Sequence, residues 1–299
     1  MKDIIQNNSK ENFNRTAVTI GKFDSFHLGH QLLLKDIIKV SKDKKLQPLI
    51  LKLSIIKEGI MSKKEEEEFL MQSYPSICRM DYIDFTPEFM ALSPEEFVKE
   101  ILVDKYNVGH VSVGKDFRFG KDRSGDSDTL KKLGQAYDIS VNIIDKLKLE
   151  NVIISSSCIR SSLEKGDVKY ASMLMGRDYL ISGLVEGGKK LGRNLGYPTI
   201  NLGTGSGKLL PRYGVYASRV IIDNKEYRGI TNIGIRPSID DGNMPSVETF
   251  IYNFSDDIYG RKVDIIPVLF IRDEEHFDSL KELTDQISRD IKYAIDHTE

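Results

Sequence analysis

The pattern of apolar and polar positions changes near residue 180, and the two parts predict different kinds of sheet. Before that point, short apolar runs typical of buried strands alternate with segments of helical periodicity. One helix start is well marked, because Ser93 suits the N-cap and Pro94 suits the first helical position. Strands separated by helices indicate an α/β domain with a mostly parallel, doubly wound sheet, which binds ligands at its carboxyl edge. The predicted strands are 16–20, 47–53, 80–85 and 109–114, with a charged helix at 63–72.

After residue 180, short strands follow one another with turns and without intervening helices, a pattern that favours a small closed antiparallel barrel. Asp223, Asn224 and Lys225 form the turn of a predicted hairpin. A last helix is expected at 275–297, with one apolar stripe packed against the barrel. We therefore predict an α/β domain over 1–180 and an all-β domain with a C-terminal helix over 181–299.

Composition is that of an ordinary globular protein, with 299 residues, 40% of them apolar and 29% charged. A net charge of −2 gives no electrostatic case for nucleic acid or an anionic membrane, so phosphate binding must come from local groups. The polar N-terminus has no secretory pattern, the longest apolar run is too short to span a bilayer, and the two cysteines are far apart. These features predict a cytoplasmic protein without nucleic-acid or membrane partners.

A glycine-rich stretch over 183–201 is the strongest candidate for binding a nucleotide. Glycines let backbone N–H groups approach phosphate oxygens closely, although glycines alone would equally fit a surface loop. Thr199 and Asn201 follow Pro198 at alternate positions of an extended segment, so their side chains point the same way. A hydroxyl and an amide oxygen are hard ligands suited to a Mg²⁺ that carries a nucleotide. The glycines are Gly187, Gly188, Gly192 and Gly196.

A neighbouring segment, 203–208, looks like a P-loop but lacks two of its residues. Leu202 stands where the first glycine is required, and Leu209 follows the lysine in place of a Mg²⁺-binding Ser or Thr. We interpret this segment as a turn.

Two of the five histidines lie in the segment His27-Leu28-Gly29-His30, directly after the first predicted strand and its loop. His27 and His30 share one face at the start of a helix, where two donors would stabilise negative charge developing on phosphorus. A chance match is one alternative, and a metal site is another that lacks a third ligand nearby. The arrangement resembles the nucleotidyltransferases that transfer AMP or CMP from a nucleoside triphosphate.

The segment 115–120 follows the strand at 109–114 and so lies at a carboxyl strand end. Asp116 could accept hydrogen bonds from adenine or ribose, and Arg118 could bind a phosphate bidentately. Phe119 is at least as well explained as a core residue.

A second phosphate-binding candidate is the helix start that follows Ile154. Ser155 and Ser156 suit a helix N-terminus, and Arg160 adds a charged fork one turn further along. A simple serine-capped helix accounts for the serines but not for the arginine.

These segments together resemble the bacterial bifunctional riboflavin kinase/FAD synthetase family over residues 15 to 297. The stretch 183–201 is similar to the kinase's ATP-binding signature, and 229–238 is similar to its Asn-Ile-Gly-x-Arg-Pro segment. The strand 247–254 is similar to the one that carries the kinase's catalytic carboxylate, which implies that role for Glu248. By strand parity, an aromatic face suited to a planar ring accompanies this glutamate, whose alternative interpretation is an exposed edge residue. That face consists of Phe250, Tyr252 and Phe254.

The resemblance implies two reactions. The barrel would phosphorylate riboflavin to FMN with Mg-ATP, with Thr199 and Asn201 as metal ligands and Glu248 as base. The Rossmann-like nucleotidyltransferase domain would then join FMN to AMP from a second ATP, giving FAD and releasing pyrophosphate. The catalytic residues implied for that second reaction are His27, His30 and Arg160. The implied nucleotide-binding residues are Gly21, Phe23, Asp24, Gly29, Asp116, Arg118, Ser155, Ser156, Gly187, Gly192, Pro198, Thr199 and Asn201.

The chain departs from the family pattern at two places next to the proposed adenylyl-transfer site. Ser25 and Phe26 replace Gly-Val, and serine tolerates a strained backbone less well than glycine. The segment 53–57 replaces Phe-x-Pro-His-Pro. The nearest alternative is therefore a riboflavin kinase with a degenerate adenylyltransferase domain. A nucleotidyltransferase with another substrate and a flavin-binding regulator without turnover are further alternatives.

Overall fold

The structure is a computed structural model that describes residues 5–6, 14–54, 58–77, 79–187, 197–203, 207–236 and 244–298. The chain packs as two compact units, Met1–Ser155 and Ser156–Glu299. The boundary expected at residue 180 therefore lies within the second unit, which also includes two helices that precede the barrel.

The first unit is built on a sheet of six parallel strands, which confirms the predicted α/β class. These strands are β1 (Ile5–Gln6), β2 (Thr16–Gly21), β3 (Gln47–Ser54), β4 (Arg79–Asp84), β5 (Val108–Gly114) and β8 (Ser140–Ile144). Two small antiparallel pairs lie outside this sheet. They are β6 (Arg118–Phe119) with β7 (Gly125–Asp126), and β9 (Lys148–Leu149) with β10 (Val152–Ile153). The sheet order is β1-β4-β3-β2-β5-β8, so the strand order reverses between β2 and β5. In open α/β sheets, ligands bind outside the carboxyl ends of the strands at such a point.

Helices cover the sheet where the apolar periodicity predicts them. The Ser93 side chain caps its helix in a capping box with Glu96, as predicted, but the π-helix that continues from this helix was not expected. The helices of the first unit are α1 (Leu28–Lys44), α2 (Lys63–Ser73), α3 (Pro87–Ala91), α4 (Pro94–Glu96), the π-helix Phe97–Lys105, the 3₁₀ turn Lys121–Arg123 and α5 (Ser127–Gln135).

Alternation along the strands divides the core of the first unit between the two faces of the sheet. Leu49 and Leu51 pack against the π-helix and α5 side, whereas Ile50 packs with Leu34 of α1 and Leu70 of α2.

The second unit contains a closed antiparallel barrel, which confirms the predicted all-β class. Its elements are α6 (Ser156–Glu164), α7 (Val168–Met175), β11 (Ile181–Glu186), β12 (Thr199–Gly203), β13 (Gly214–Ile222), β14 (Lys225–Arg236), β15 (Met244–Ile251), β16 (Lys262–Arg272) and α8 (Leu280–His297). Around the barrel the strands follow the order β11-β12-β15-β14-β13-β16. Asp223 and Asn224 form the hairpin turn between β13 and β14, and both adopt the positive φ that a tight two-residue turn requires.

The C-terminal helix is shorter than predicted, because α8 begins at Leu280 instead of residue 275. Ile291 and Ala294 pack on the barrel as the apolar stripe predicted, but Leu280 is 66% exposed. None of the described helices is long and apolar enough to cross a membrane.

Candidate active sites

The two histidines of the His-x-Gly-His segment lie directly against each other at the start of α1. Their rings stack with centroids 3.7 Å apart and an interplanar angle of 12°. His27 is the N-cap residue of the helix, and its Nδ1 accepts a hydrogen bond from the backbone N–H of His30 at 3.1 Å. An Nδ1 that accepts a hydrogen bond carries no proton, so the neutral His27 ring bears its proton on Nε2. The capping contact therefore fixes which nitrogen of His27 can donate to a ligand.

Gly29 permits this stack because a side chain there would contact the His27 ring. A Cβ at Gly29 would lie 3.1 Å from His27 Cε1 and 3.2 Å from its Nδ1. The role of Gly29 in the structure is thus to leave room for the imidazole.

Backbone strain in the loop before His27 lies on two residues at which the sequence did not predict it. The strain was expected at Ser25, but Phe23 and Phe26 have the positive φ, 43° in each case. A left-handed backbone at a bulky residue is uncommon and costs on the order of 1–3 kcal/mol, so the surrounding packing must hold it. Both phenylalanine side chains are fully buried, and the Phe23 ring packs 4.8 Å from the His30 ring. The Phe23 ring, which itself stacks on Phe26, therefore packs against His30.

Three residues that were predicted to bind nucleotide have packing roles in this loop. The Phe23 side chain is fully buried, so its nucleotide-binding role stays a prediction for its backbone alone. A Cβ at Gly21 would approach the Phe23 ring to 3.2 Å. Asp24 is also buried, and its Oδ1 accepts a hydrogen bond from the Ile60 N–H at 3.0 Å.

The segment 115–120, which follows β5, has two charged residues in ion pairs and two phenylalanines whose rings stack. Asp116 pairs with Lys146 at 2.9 Å, and Arg118 lies 3.4 Å from Asp126. The pKa of the Asp126 carboxyl is lowered, first by the Thr129 N–H that it accepts as N-cap of α5, so it remains ionised beside Arg118. A phosphate at Arg118 would replace that exposed ion pair, which is worth little in water.

Phe119 is a core residue, which was one of its two interpretations from the sequence. It is 6% exposed and its ring packs against those of Phe97 and Phe117.

The predicted helix start after Ile154 is confirmed by α6. Ser156 is the first residue of this helix, and Ser155 directly precedes it. Arg160 lies one turn into α6 and is half-buried. Ser155 is the last residue of the first packing unit, and Ser156 and Arg160 belong to the second.

In the barrel, Glu248 lies in a row of polar residues that crosses four neighbouring strands. In the strand register, Glu248 of β15 is opposite Asn201 of β12 on one side and Asn232 of β14 on the other. Glu186 of β11 extends the row, because it is opposite Asn201. Residues directly opposite in antiparallel strands have Cβ atoms about 4.5–5.5 Å apart and lie on the same face. Thr199 is two residues before Asn201 and so lies on that face as well.

This row is on the outer face of the barrel, because the alternate residues fill its interior. Val247, Thr249 and Ile251 are buried inside, and the Thr249 hydroxyl lies 3.0 Å from that of Thr231. Glu248 is half-buried on the opposite face of β15. Any ligand of the polar row must therefore bind outside the barrel wall.

The aromatic face beside Glu248 is shorter than strand parity predicted. Phe250 and Tyr252 pack with ring centroids 5.8 Å apart, and burial raises the pKa of the Tyr252 hydroxyl to about 12. The strand ends at Ile251, and Asn253 turns the chain with φ 54°. Phe254 therefore leaves this face, contrary to prediction, and packs against Tyr227 instead.

Two family models match the chain, one described as FAD synthetase at residues 9–158 and one described as riboflavin kinase at residues 175–298. The chain is 36% identical to the bifunctional riboflavin kinase/FMN adenylyltransferase of Buchnera aphidicola subsp. Acyrthosiphon pisum, over 95% of this chain and 94% of that protein. It is 31% identical to the protein of the same name from Bacillus subtilis, over 96% of this chain and 93% of that one. The chain belongs to the bifunctional riboflavin kinase/FMN adenylyltransferase family.

The same architecture is present in a crystal structure described as a macrolide-efflux protein from Streptococcus pneumoniae. That chain is 28% identical, and the match has a TM-score of 0.85 and covers 97% of this chain and 98% of that one. The resemblance inferred from the motifs is thus confirmed along nearly the whole chain.

Asn232 of the Asn-Ile-Gly segment lies in the polar row beside Glu248, but it was not among the predicted site residues. Asn232, opposite Glu248, donates from Nδ2 to Glu274 Oε1 at 3.0 Å. Strand parity within the Asn-Ile-Gly segment was the available signal. A Cβ at Gly234 would clash with the Glu274 carboxylate, at 2.0 Å from Oε1. The glycine of this motif therefore leaves room for that carboxylate.

The segment that begins β12 is connected to the C-terminal helix through Tyr197. The Tyr197 hydroxyl lies 2.9 Å from Ser288 Oγ of α8, and its ring meets that of Phe250 edge-on at 5.2 Å. Pro198 and Thr199 follow directly and are exposed. Tyr197 thus joins the proposed metal-binding segment to both β15 and α8.

The structure covers only part of the predicted glycine-rich stretch. Gly187 is exposed, and a Cβ there would meet no atom within 4 Å, so the described surroundings do not require a glycine. Gly192 lies outside the described residues, as does most of the departing segment 53–57.

Proposed function

We propose that the chain phosphorylates riboflavin to FMN with ATP and then adenylylates FMN to FAD with a second ATP. The kinase assignment rests on one observation, the position of Glu248 between Asn201 and Asn232 on the outer face of the barrel. Membership of the bifunctional family supports both activities, because its two domains are matched in the same chain.

In the kinase reaction, the ribityl 5′-hydroxyl oxygen attacks the γ-phosphorus of ATP. The bond to the β,γ-bridging oxygen breaks, ADP leaves, and the Glu248 carboxylate accepts the hydroxyl proton. Asn201 and Asn232 flank Glu248 on the neighbouring strands, and the Phe250–Tyr252 pair would offer an apolar wall for the flavin ring system.

The residues of β12 fit a magnesium ion by their chemistry. Thr199 and Asn201 present a hydroxyl and an amide oxygen on one face of the strand, and such oxygens are suitable ligands for this hard cation. Bound there, Mg²⁺ would neutralise charge on the phosphates of ATP.

In the adenylyl transfer, an oxygen of the FMN phosphate attacks the α-phosphorus of ATP and pyrophosphate leaves. The phosphate is itself the nucleophile, so catalysis consists of positioning and charge stabilisation. His27 and His30, stacked at the N-terminus of α1, would stabilise the charge on the α-phosphate. We propose Arg160, together with Ser155 and Ser156, as a grip on the leaving pyrophosphate, and Asp116, Arg118 and Gly29 as part of the ATP site.

The test is to incubate the purified chain with riboflavin, ATP and Mg²⁺ and to separate FMN from FAD by chromatography. Both products support the proposal, whereas FMN without FAD selects the kinase with a degenerate adenylyltransferase. If neither FMN nor FAD forms, the result selects a flavin-binding protein without turnover.

Single substitutions assign the two sites. Glu248→Gln should abolish FMN formation but keep FAD formation from supplied FMN, and His30→Ala should do the reverse. Glu226→Gln and His276→Ala change exposed residues of the same types and serve as matched controls. If either test substitution stops both reactions in a folded protein, the assignment of separate sites is wrong.

A further inference from the structure

A pair of opposite charges is buried near the carboxyl edge of the parallel sheet. Lys52 of β3 forms an ion pair with Glu66 of α2, and the Tyr82 hydroxyl of β4 donates to Glu66 Oε2 at 3.1 Å. Lys52 is 8% exposed and Glu66 is 2% exposed. Removing two charges from water is costly, and an apolar pair of similar size is often at least as stable. Stability alone is therefore a weak reason for this pair.

The ion pair attaches α2 to the sheet beside the end of β2, where the loop that leads to His27 begins. In the strand register, Lys52 is opposite Gly21 on one side and Tyr82 on the other, and Gly21 is the last residue of β2. The Glu66 carboxylate lies in the first turn of α2, so its contacts with Lys52 and Tyr82 hold the start of that helix against the two strands.

From α2, two contacts reach the loop between Gly21 and His27. The Ile60 N–H, just before the helix, donates to Asp24 Oδ1 at 3.0 Å. The Phe69 ring of α2 packs 5.5 Å from the ring of Phe26. Asp24 lies between the two residues with left-handed backbone, Phe23 and Phe26. A loop with this backbone persists only where its surroundings hold it, and here α2 supplies part of that hold.

We propose that the Lys52–Glu66 ion pair is a positioning element for adenylyl transfer, which holds α2 and, through Asp24 and Phe26, places His27 and His30. Neither residue touches the reacting groups in this proposal. It depends on the adenylyl-transfer function proposed for the first unit. Lys52 also directly precedes the segment 53–57, in which the chain departs from the family's Phe-x-Pro-His-Pro pattern. The ion pair gives this chain a hold on the loop that does not require that pattern.

The test compares Glu66→Gln, Lys52→Met and the double variant at pH 8. Burial raises the pKa of Glu66 to about 7, so the carboxylate is ionised in this assay. Each single variant should lower kcat for FAD formation from FMN at least tenfold, while FMN formation from riboflavin stays within twofold of the wild type. The double variant has no unpaired buried charge, so its thermal midpoint should return toward that of the wild type while kcat stays low. Lys64→Met, an exposed lysine of α2, is the matched control.

Amide hydrogen exchange over residues 22–30 measures how firmly the loop is held, and it does not depend on turnover. All three variants should exchange faster there than the wild type, and Lys64→Met should not. The proposal is overturned if the double variant regains kcat together with its thermal stability, or if exchange in the loop is unchanged. A wild type that makes no FAD would refute the adenylyl-transfer function, and the exchange measurement would still decide on the positioning role.

Discussion

Asp290 of α8 helps to hold the C-terminal helix on the barrel, and its removal should destabilise the second unit. Its carboxylate accepts from Arg272 Nε at 3.0 and 3.1 Å, from Arg272 Nη2 at 2.9 Å and from Gln286 Nε2 at 2.8 Å. Asp290 is 2% exposed, so water screens these contacts little. Since Arg272 is the last residue of β16, the pair joins the helix to the strand that ends the barrel.

The expected cost of Asp290→Ala follows from what Arg272 would lose. Breaking one partner of a buried ion pair typically costs about 3–5 kcal/mol, because the remaining charge is left without compensation. Arg272 would retain the Asp273 carbonyl at 3.0 Å and Glu275 at 3.8 Å, which favours the lower end of that range. A loss of about 3 kcal/mol corresponds to a fall of roughly 10 °C in the thermal midpoint for a unit of this size.

Differential scanning calorimetry measures this loss, and added riboflavin identifies the transition of the second unit by raising its midpoint. Asp290→Asn keeps the size and some hydrogen bonds and should lose about 2 kcal/mol, as for a hydrogen bond to a charged group. Asp285→Ala, at an exposed position of the same helix, should leave the midpoint within about 1 °C, as is usual for surface substitutions. Equal midpoints for Asp290→Ala and Asp285→Ala would refute the assigned role.

The remaining predictions concern the first helix, a buried hydroxyl pair and a titrating carboxyl. Gly29→Ala should lower FAD formation roughly tenfold by displacing the His27 ring, without lowering the thermal midpoint, because alanine is the better helix former. An unchanged rate in the FAD assay would contradict that. Thr249→Val should cost about 1–3 kcal/mol in urea unfolding by leaving Thr231 without its hydroxyl partner, and the double valine variant should recover most of it. Strict additivity of the two single changes would argue against the pair. Because burial raises the pKa of Glu66 from 4.5 to about 7, its contribution to stability is full below the unfolded pKa and is lost as pH rises through 7. The unfolding free energy of the wild type should therefore fall between pH 4 and 8 by roughly 3 kcal/mol more than that of Glu66→Gln, and identical pH profiles would exclude this.

Local sequence signals predicted the elements that depend on neighbouring residues. The cap at Ser93, the turn at Asp223 and Asn224, and the closeness of His27 to His30 all arise within a few residues of the chain. The change from a parallel sheet to an antiparallel barrel followed from the presence or absence of helices between strands. These features are encoded by local backbone preference and periodicity.

Features that depend on distant partners were missed. Nothing near Lys52 in the sequence indicates that Glu66 will meet it, and the pairing of Arg272 with Asp290 likewise joins separate elements. The backbone strain was expected at Ser25, but Phe23 and Phe26 have the positive φ, and their rings stack with centroids 5.5 Å apart. Side-chain pairing across the fold decides such contacts, and a single sequence does not record it.

The barrel closes by joining its first strand to its last, since β11 pairs with β16. During synthesis, β11 must wait for β16 to leave the ribosome before the ring of strands can be completed. The parallel sheet has all its strands once β8 has emerged, well before that point. Contacts between residues far apart in the chain also form slowly, because the intervening loop has to close first. A nascent chain therefore acquires the fold of its nucleotidyltransferase-like half before that of its kinase-like half, although the kinase reaction comes first in the proposed sequence.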